Sequence, residues 1–275
     1  MAYKKFSKKD RKEYKQAQKQ KVLNILSDGV KNLSNSDSWK KYLKYQSSFW
    51  NYSFGNCMLI MSQCPEASKV SGHRAWKSLG RKIIKGQKAI WIQAPMFIKN
   101  KEAEKDPFVF FKLVPVFDVS QTEGEELPSG FCMQLTGTSE EITSLFEQVK
   151  TNIESDGPKV HVEEYEGSSN GYYDRLSKKI VIKDSLEGLQ KLTTLVHEYA
   201  HHILHGKVDS SRGREEVEAE STAFCVMNAL GYETGDYSFG YVAGWSKGDY
   251  KKIESCGKNI QTATKRILTE LNVEG

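Results

Sequence analysis

Between residues 186 and 204, Leu189, Leu192, Val196, Tyr199, Ala200 and Ile203 recur at helical spacing on one face of a 100° wheel. The stretch contains no proline, and Gly206 follows as a stop, so the spacing predicts a helix with His197 and His201 flanking its apolar stripe. A second helix is predicted from Arg214 towards Gly231. With Glu216 at 0°, Ala219, Glu220, Ala223 and Met227 share its side, and Glu218 points the opposite way.

Upstream, Val22, Leu23, Ile25, Leu26, Val30 and Leu33 are spaced for a helix with Gly29 as its weak point. Further helices are expected over 38–49, over 52–61 with Pro65 beyond it, and over 72–79. Residues 80–88 read as a basic hairpin leading into a strand at 89–94, and 108–117 as another strand. Gln121 to Gly130 holds three glutamates, two glycines and a proline, the composition of a linker. A helix over 139–153, strands at 160–165, 171–175 and 179–183, and a helix over 258–271 follow. The pattern predicts an α+β protein of two domains, 1–120 and 131–275, joined by 121–130.

Charge sharpens this division. The net charge of the 275 residues is +5, yet residues 1–100 carry 21 Lys and Arg against 5 Asp and Glu, leaving the remainder acidic. Nine of those cations lie between Lys4 and Lys21, but residues 22–100 still hold 12 against 3. A polyanion partner for the first domain is the implied reading. No apolar run approaches the ~20 residues of a membrane helix, and the start has no apolar signal region. Five scattered cysteines without a Cys-x-x-Cys pair suit a reduced, cytoplasmic protein.

The chemistry concentrates in His197-Glu198-x-x-His201. Residues four apart share a helix face, so two imidazoles can hold one metal ion while Glu198 serves as a proton acceptor. Zinc hydrolases commonly add a carboxylate as third ligand, and Glu215, Glu216, Glu218 and Glu220 follow closely. By phase, Glu216 and Glu220 share the small-residue face, where buried carboxylates need a cation or a proton.

His197, His201 and Glu216-x-x-x-Glu220 resemble the gluzincin arrangement, particularly the small zincin domains of ImmA-type and ArdC-type proteins. The resemblance implies Zn²⁺ on His197, His201 and Glu216, Glu198 as general base, and Glu220 holding a ligand histidine by hydrogen bond. Glu220 stands where the family often has Asp or Asn. The zinc-affinity order expected is wild type ≈ Glu218→Gln > Glu220→Gln > Glu216→Gln. His205, last in its helix, is read as complementing the helix dipole and His202 as solvent-facing. Tyr237 or Tyr241 can donate to an oxyanion or simply pack.

In the basic half, aromatics interleaved with cations can stack bases beside a phosphate-tracking groove or can be core. The candidates are Trp50, Tyr52, Trp76, Lys77, Arg81, Lys82, Lys85 and Lys88. Residues 15–120 resemble the N-terminal single-stranded-DNA-binding domain of ArdC-like antirestriction proteins. The matching features are Tyr52-Ser-Phe-Gly-Asn56, Trp76-Lys-Ser-Leu-Gly80, Lys85-Gly-Gln-Lys88 and the run Val116-Phe-Asp-Val-Ser-Gln-Thr-Glu-Gly124. The resemblance implies single-stranded DNA as partner, a mobile element or phage as setting, and a metallopeptidase acting on a host or element-encoded protein. An ImmA-like regulator-cleaving protease, or a DNA-coating protein with a structural metal, are the alternatives.

Overall fold

The computed structural model describes residues 8–33, 35–98, 108–127, 139–206, 211–232, 246 and 249–273. Tyr237 and Tyr241 lie outside the described residues. The chain is α+β and divides into two compact units, 1–31 with 55–127 and 32–54 with 128–275. The break at 127 lies within the 121–130 segment, but a second piece of the chain, 32–54, belongs to the second unit, so the units interleave in sequence.

In the first unit, α1 (Lys8–Asn32), α3 (Phe54–Gln63) and the short α4 (His73–Ser78) accompany a long antiparallel ribbon of β3 (Ile90–Ile98) and β4 (Phe108–Asp118). β1 (Val70–Ser71) pairs only with the last two residues of β4, so the outer ribbon is two-stranded among the described residues. Side-chain amides of α3 finish the edge of β3. Asn56 exchanges two hydrogen bonds of 2.9 Å with the Gln93 backbone, and Gln63 does the same for Trp91 at 3.0 and 3.1 Å. Such capping satisfies edge groups that would otherwise recruit another strand.

The expected basic hairpin over 80–88 does not form. β2 (Arg81–Ile83) pairs instead with β5 (Thr122–Gly124), because the 116–124 run is a clasp. Asp118, almost fully buried, accepts from the backbone N–H groups of Ser68, Lys69 and Ser120. Gln121 returns a bond to the Asp118 N–H and donates to the Lys88 carbonyl. Burial pushes the Asp118 carboxyl up, but the Ser120 hydroxyl and the three backbone N–H groups outweigh it and hold the carboxyl below the usual range. Gly124 sits at φ +136°, where a Cβ would strike the Gly80 carbonyl.

In the second unit, α5 (Ser139–Asp156) precedes a three-stranded sheet of order β6-β8-β7, made by β6 (Lys159–Glu163), β7 (Gly171–Asp174) and β8 (Lys179–Lys183). β8 is parallel to β6 and antiparallel to β7, which leaves β7 at an edge. α6 (Gly188–His205) lies on this sheet. A Cβ on Gly171 would come within 2.8 Å of Thr194, so glycine lets β7 approach α6 closely. α7 (Arg212–Ala229) is packed by α6, by α8 (Tyr250–Glu270) and by α2 (Ser36–Ser48). The α2 contact uses the fully buried Trp39, whose indole donates to Ser221 at 3.1 Å.

His202 is not solvent-facing as expected. It reaches Tyr173 Oη at 2.9 Å and Asp156 at 3.0 Å, and Asp156 also pairs with Arg266. This network ties α5 and α8 to the flank of α6. No helix among the described residues is long and apolar enough to cross a membrane.

Candidate metal centre

α6 presents three imidazoles at i, i+4 and i+8: His197, His201 and His205. The Nε2 atoms of His197 and His201 are 3.1 Å apart, and Oε2 of Glu216 from α7 lies 3.6 and 3.7 Å from them. Two ligand atoms bound to one tetrahedral zinc at about 2.0–2.1 Å stand roughly 3.3 Å apart. The spacing and the donor set, two imidazoles and one carboxylate, therefore fit one divalent cation. His197, His201 and Glu216 come together as the sequence predicted.

Glu198 is buried beside them, and its carboxyl is pushed up to about 7. Loss of solvation is the main cause. The Glu216 charge adds to it, while His197 and the Tyr173 backbone N–H oppose it. Glu216 shifts the other way: the imidazoles of His197 and then His201 beside it hold its carboxyl well below the usual range in the metal-free protein. Its side chain is half exposed, so solvent screens much of that interaction.

Glu198 gives a test in the metal-free protein. A carboxyl raised on folding binds more protons folded than unfolded, so its contribution is present below about 4.5 and lost as pH rises through about 7. Glu198→Gln cannot titrate and should remove this loss, making the metal-free variant more stable than wild type at pH 8 by about 3 kcal/mol. Urea midpoints at pH 5 and pH 8 measure it. Equal pH dependence in both proteins would contradict the burial assigned to Glu198.

Two acid assignments need correction. Glu220 was expected to hold a ligand histidine, but among the described residues it hydrogen-bonds neither His197 nor His201. It lies close enough to feel both His197 and Glu216, and burial raises its carboxyl. Glu218, expected to face away, is 1% exposed and accepts from His205 Nε2 at 2.9 Å. His205 is 2% exposed and places its Nδ1 3.0 Å from Nδ1 of His201, so it is wired into the site rather than serving mainly as a dipole complement. His201, His205 and Glu215 form a second close cluster. There Arg175 pairs with Glu215 and Arg214 with Glu218, so two carboxylates already meet two guanidiniums and no cation is needed.

The basic-half candidates separate by burial. Trp76 is fully buried with its indole donating to the Phe117 carbonyl at 2.9 Å, and Trp50 lies in the core of the second unit. Neither offers a face to a base, which corrects both assignments. Tyr52 is half-buried against Phe49. The Arg81 guanidinium is engaged by Thr122 and the Glu125 carbonyl, and Lys82 pairs with Glu123 at 3.2 Å. Lys77, Lys85 and Lys88 are exposed. The sequence reading missed Phe110 and Phe111, 38% and 67% exposed on the ribbon. An unbroken β-prone run does not say that its outer half pairs with no third strand among the described residues.

A helix bearing His-Glu-x-x-His under an edge strand, with an acid from the next helix, defines a metallopeptidase-like unit. Residues 156–234 match the family described as IrrE N-terminal-like domain, peptidase family M78, and residues 12–131 match the N-terminal domain of anti-restriction factor ArdC. The chain thus joins a domain of the ArdC N-terminal type to a domain similar to peptidase family M78.

An uncharacterized protein of Bacillus anthracis is 27% identical over 315 aligned positions, covering 98% of this chain but 53% of its own length. The chain thus spans about half the length of that curated relative. The metal-free crystal structure of antirestriction ArdC protein from plasmid R388 is similar in fold: 20% identity, TM-score 0.51, 82% of this chain and 87% of that one. The Mn(II)-bound form aligns at 22% identity and TM-score 0.51, over 80% and 84%.

Proposed function

We propose that this protein is an antirestriction-type protein of a mobile element or phage, which binds single-stranded DNA and carries a zinc-dependent peptidase site. The observation that carries the peptidase reading is the convergence of His197, His201 and Glu216 around one point, with Glu198 buried beside it. A zinc ion bound by these three would polarise a carbonyl and acidify water. Glu198, with its carboxyl near neutrality, accepts a proton from the attacking water and delivers it to the leaving amine. The Tyr173 N–H on edge strand β7 already points at Glu198, so an extended peptide added along β7 would pass the same carboxylate.

The DNA reading rests on the basic balance of residues 1–100 and on exposed Lys77, Lys85 and Lys88. Phe110 and Phe111 are better stacking surfaces than the buried tryptophans. Splitting the chain near residue 120 would remove α2 from α7, so the full chain is the right test object. It should bind oligo(dT) with log K falling against log salt at a slope of about −0.7 per phosphate contacted. Phe111→Ala should weaken binding by about 1–3 kcal/mol. Salt-independent binding, or none, removes the DNA reading and leaves an ImmA-like regulator-cleaving protease. Zinc content together with hydrolysis of unfolded peptide separates that protease from a DNA-coating protein with a structural metal.

A further inference from the structure

We propose that His205 and Glu218 are positioning residues which fix the tautomer of His201, so that its Nε2 stays unprotonated and aimed into the metal centre. The inference rests on the metal reading above and goes beyond it, since neither residue belongs to the ligand set.

Glu218 anchors the chain of hydrogen bonds. Its Oε1 accepts from Arg214 Nε at 2.8 Å and from Asn259 Nδ2 at 3.1 Å. Arg214 is braced in turn by Ser255 at 3.0 Å. With Oε1 committed to two donors, Oε2 faces His205 Nε2 at 2.9 Å. Two acceptors at that distance repel, so a neutral His205 must carry its proton on Nε2. Its Nδ1 is then bare and must receive a proton from the partner 3.0 Å away, Nδ1 of His201. A neutral His201 with hydrogen on Nδ1 has its lone pair on Nε2, the atom 3.1 Å from His197 Nε2 and 3.7 Å from Glu216.

The other carboxylate close to these two imidazoles, Glu215, is paired with Arg175, and Glu218 and His205 are both nearly inaccessible to solvent. A carboxylate commonly orients a ligand imidazole directly. Here a second imidazole is interposed, one helical turn further along α6.

The same geometry predicts an inversion. In Glu218→Gln the amide must keep its oxygen towards Arg214 and Asn259, which turns its NH2 onto His205. His205 then carries its proton on Nδ1 and His201 on Nε2, the atom the metal needs. The chain in full length, titrated with Zn²⁺ against a graded chelator, reads the effect. Glu218→Gln and His205→Leu should each lose about 10–100-fold in zinc affinity. His205→Gln can accept from His201 through its carbonyl and donate to Glu218 through its amide, so it should stay within a few-fold of wild type.

Zinc affinity at the wild-type level in both Glu218→Gln and His205→Leu overturns the relay. So does equal loss in His205→Gln and His205→Leu, which would make His205 a packing residue. No zinc uptake by wild type fells the metal reading itself and the relay with it; zinc uptake by wild type with unaffected variants fells the relay alone.

Discussion

Glu198→Gln should bind zinc about as tightly as the wild type and hydrolyse peptide about 10²–10⁴-fold more slowly. The substitution keeps volume and an acceptor for the Tyr173 N–H, so β7 and α6 stay in place. What it removes is the one carboxyl at the site whose burial leaves it able both to take and to give a proton near neutral pH. Glu216 cannot substitute, because in the metal reading its carboxylate is itself a ligand, beside His197 and His201. Glu220 is raised by burial but lies on the next helix. Single-turnover hydrolysis of an unfolded peptide by zinc-loaded protein measures the effect. Wild-type turnover in the variant would mean that Glu198 is not the base.

The legibility of this site in the sequence follows from how many sides of each helix are covered. α6 packs on the sheet, α5 and α7 but keeps a more open side through Gln190, Thr194 and His197, so the apolar wheel anticipated that His197 flanks the buried stripe. α7 is packed by α6, α8 and α2, and buried residues run all around it from Val217 to Met227. The small residues near Glu216 identified the face towards α6, but no wheel could show that Glu218 meets α8. Its partners are spread over three helices: His205 on α6, Arg214 on α7 and Asn259 on α8.

The same limit explains α2. Trp39, Tyr42, Leu43 and Gln46 make an ordinary apolar face, and only the fold shows that α7 covers it. In the basic half, Trp76 and Trp50 read equally as stacking platforms or core, and burial decided for core. The 116–124 run was correctly singled out, and its reason is mechanical: Asp118, Gln121 and Gly124 close the clasp on which β2 and β5 depend.

Glu216→Gln should be the most damaging acidic substitution for zinc, lowering affinity by more than 100-fold. Losing a ligand costs more than losing a group that orients one, for which about 10–100-fold is usual. The carboxylate supplies the only negative charge among the three donors, and an amide oxygen brings none. Because the Glu216 side chain is half exposed at the cleft, its replacement leaves the α6–α7 core intact, so the loss reads metal binding rather than unfolding. Glu220→Gln, which removes a nearby charge but no hydrogen bond to a ligand histidine, should lose less than either Glu216→Gln or Glu218→Gln. The order expected from the structure is therefore wild type > Glu220→Gln > Glu218→Gln > Glu216→Gln, with Glu218 moved from harmless to harmful. Chelator competition on the four full-length proteins decides it. Tight zinc binding by Glu216→Gln alongside weak binding by Glu220→Gln would make Glu220 the third ligand.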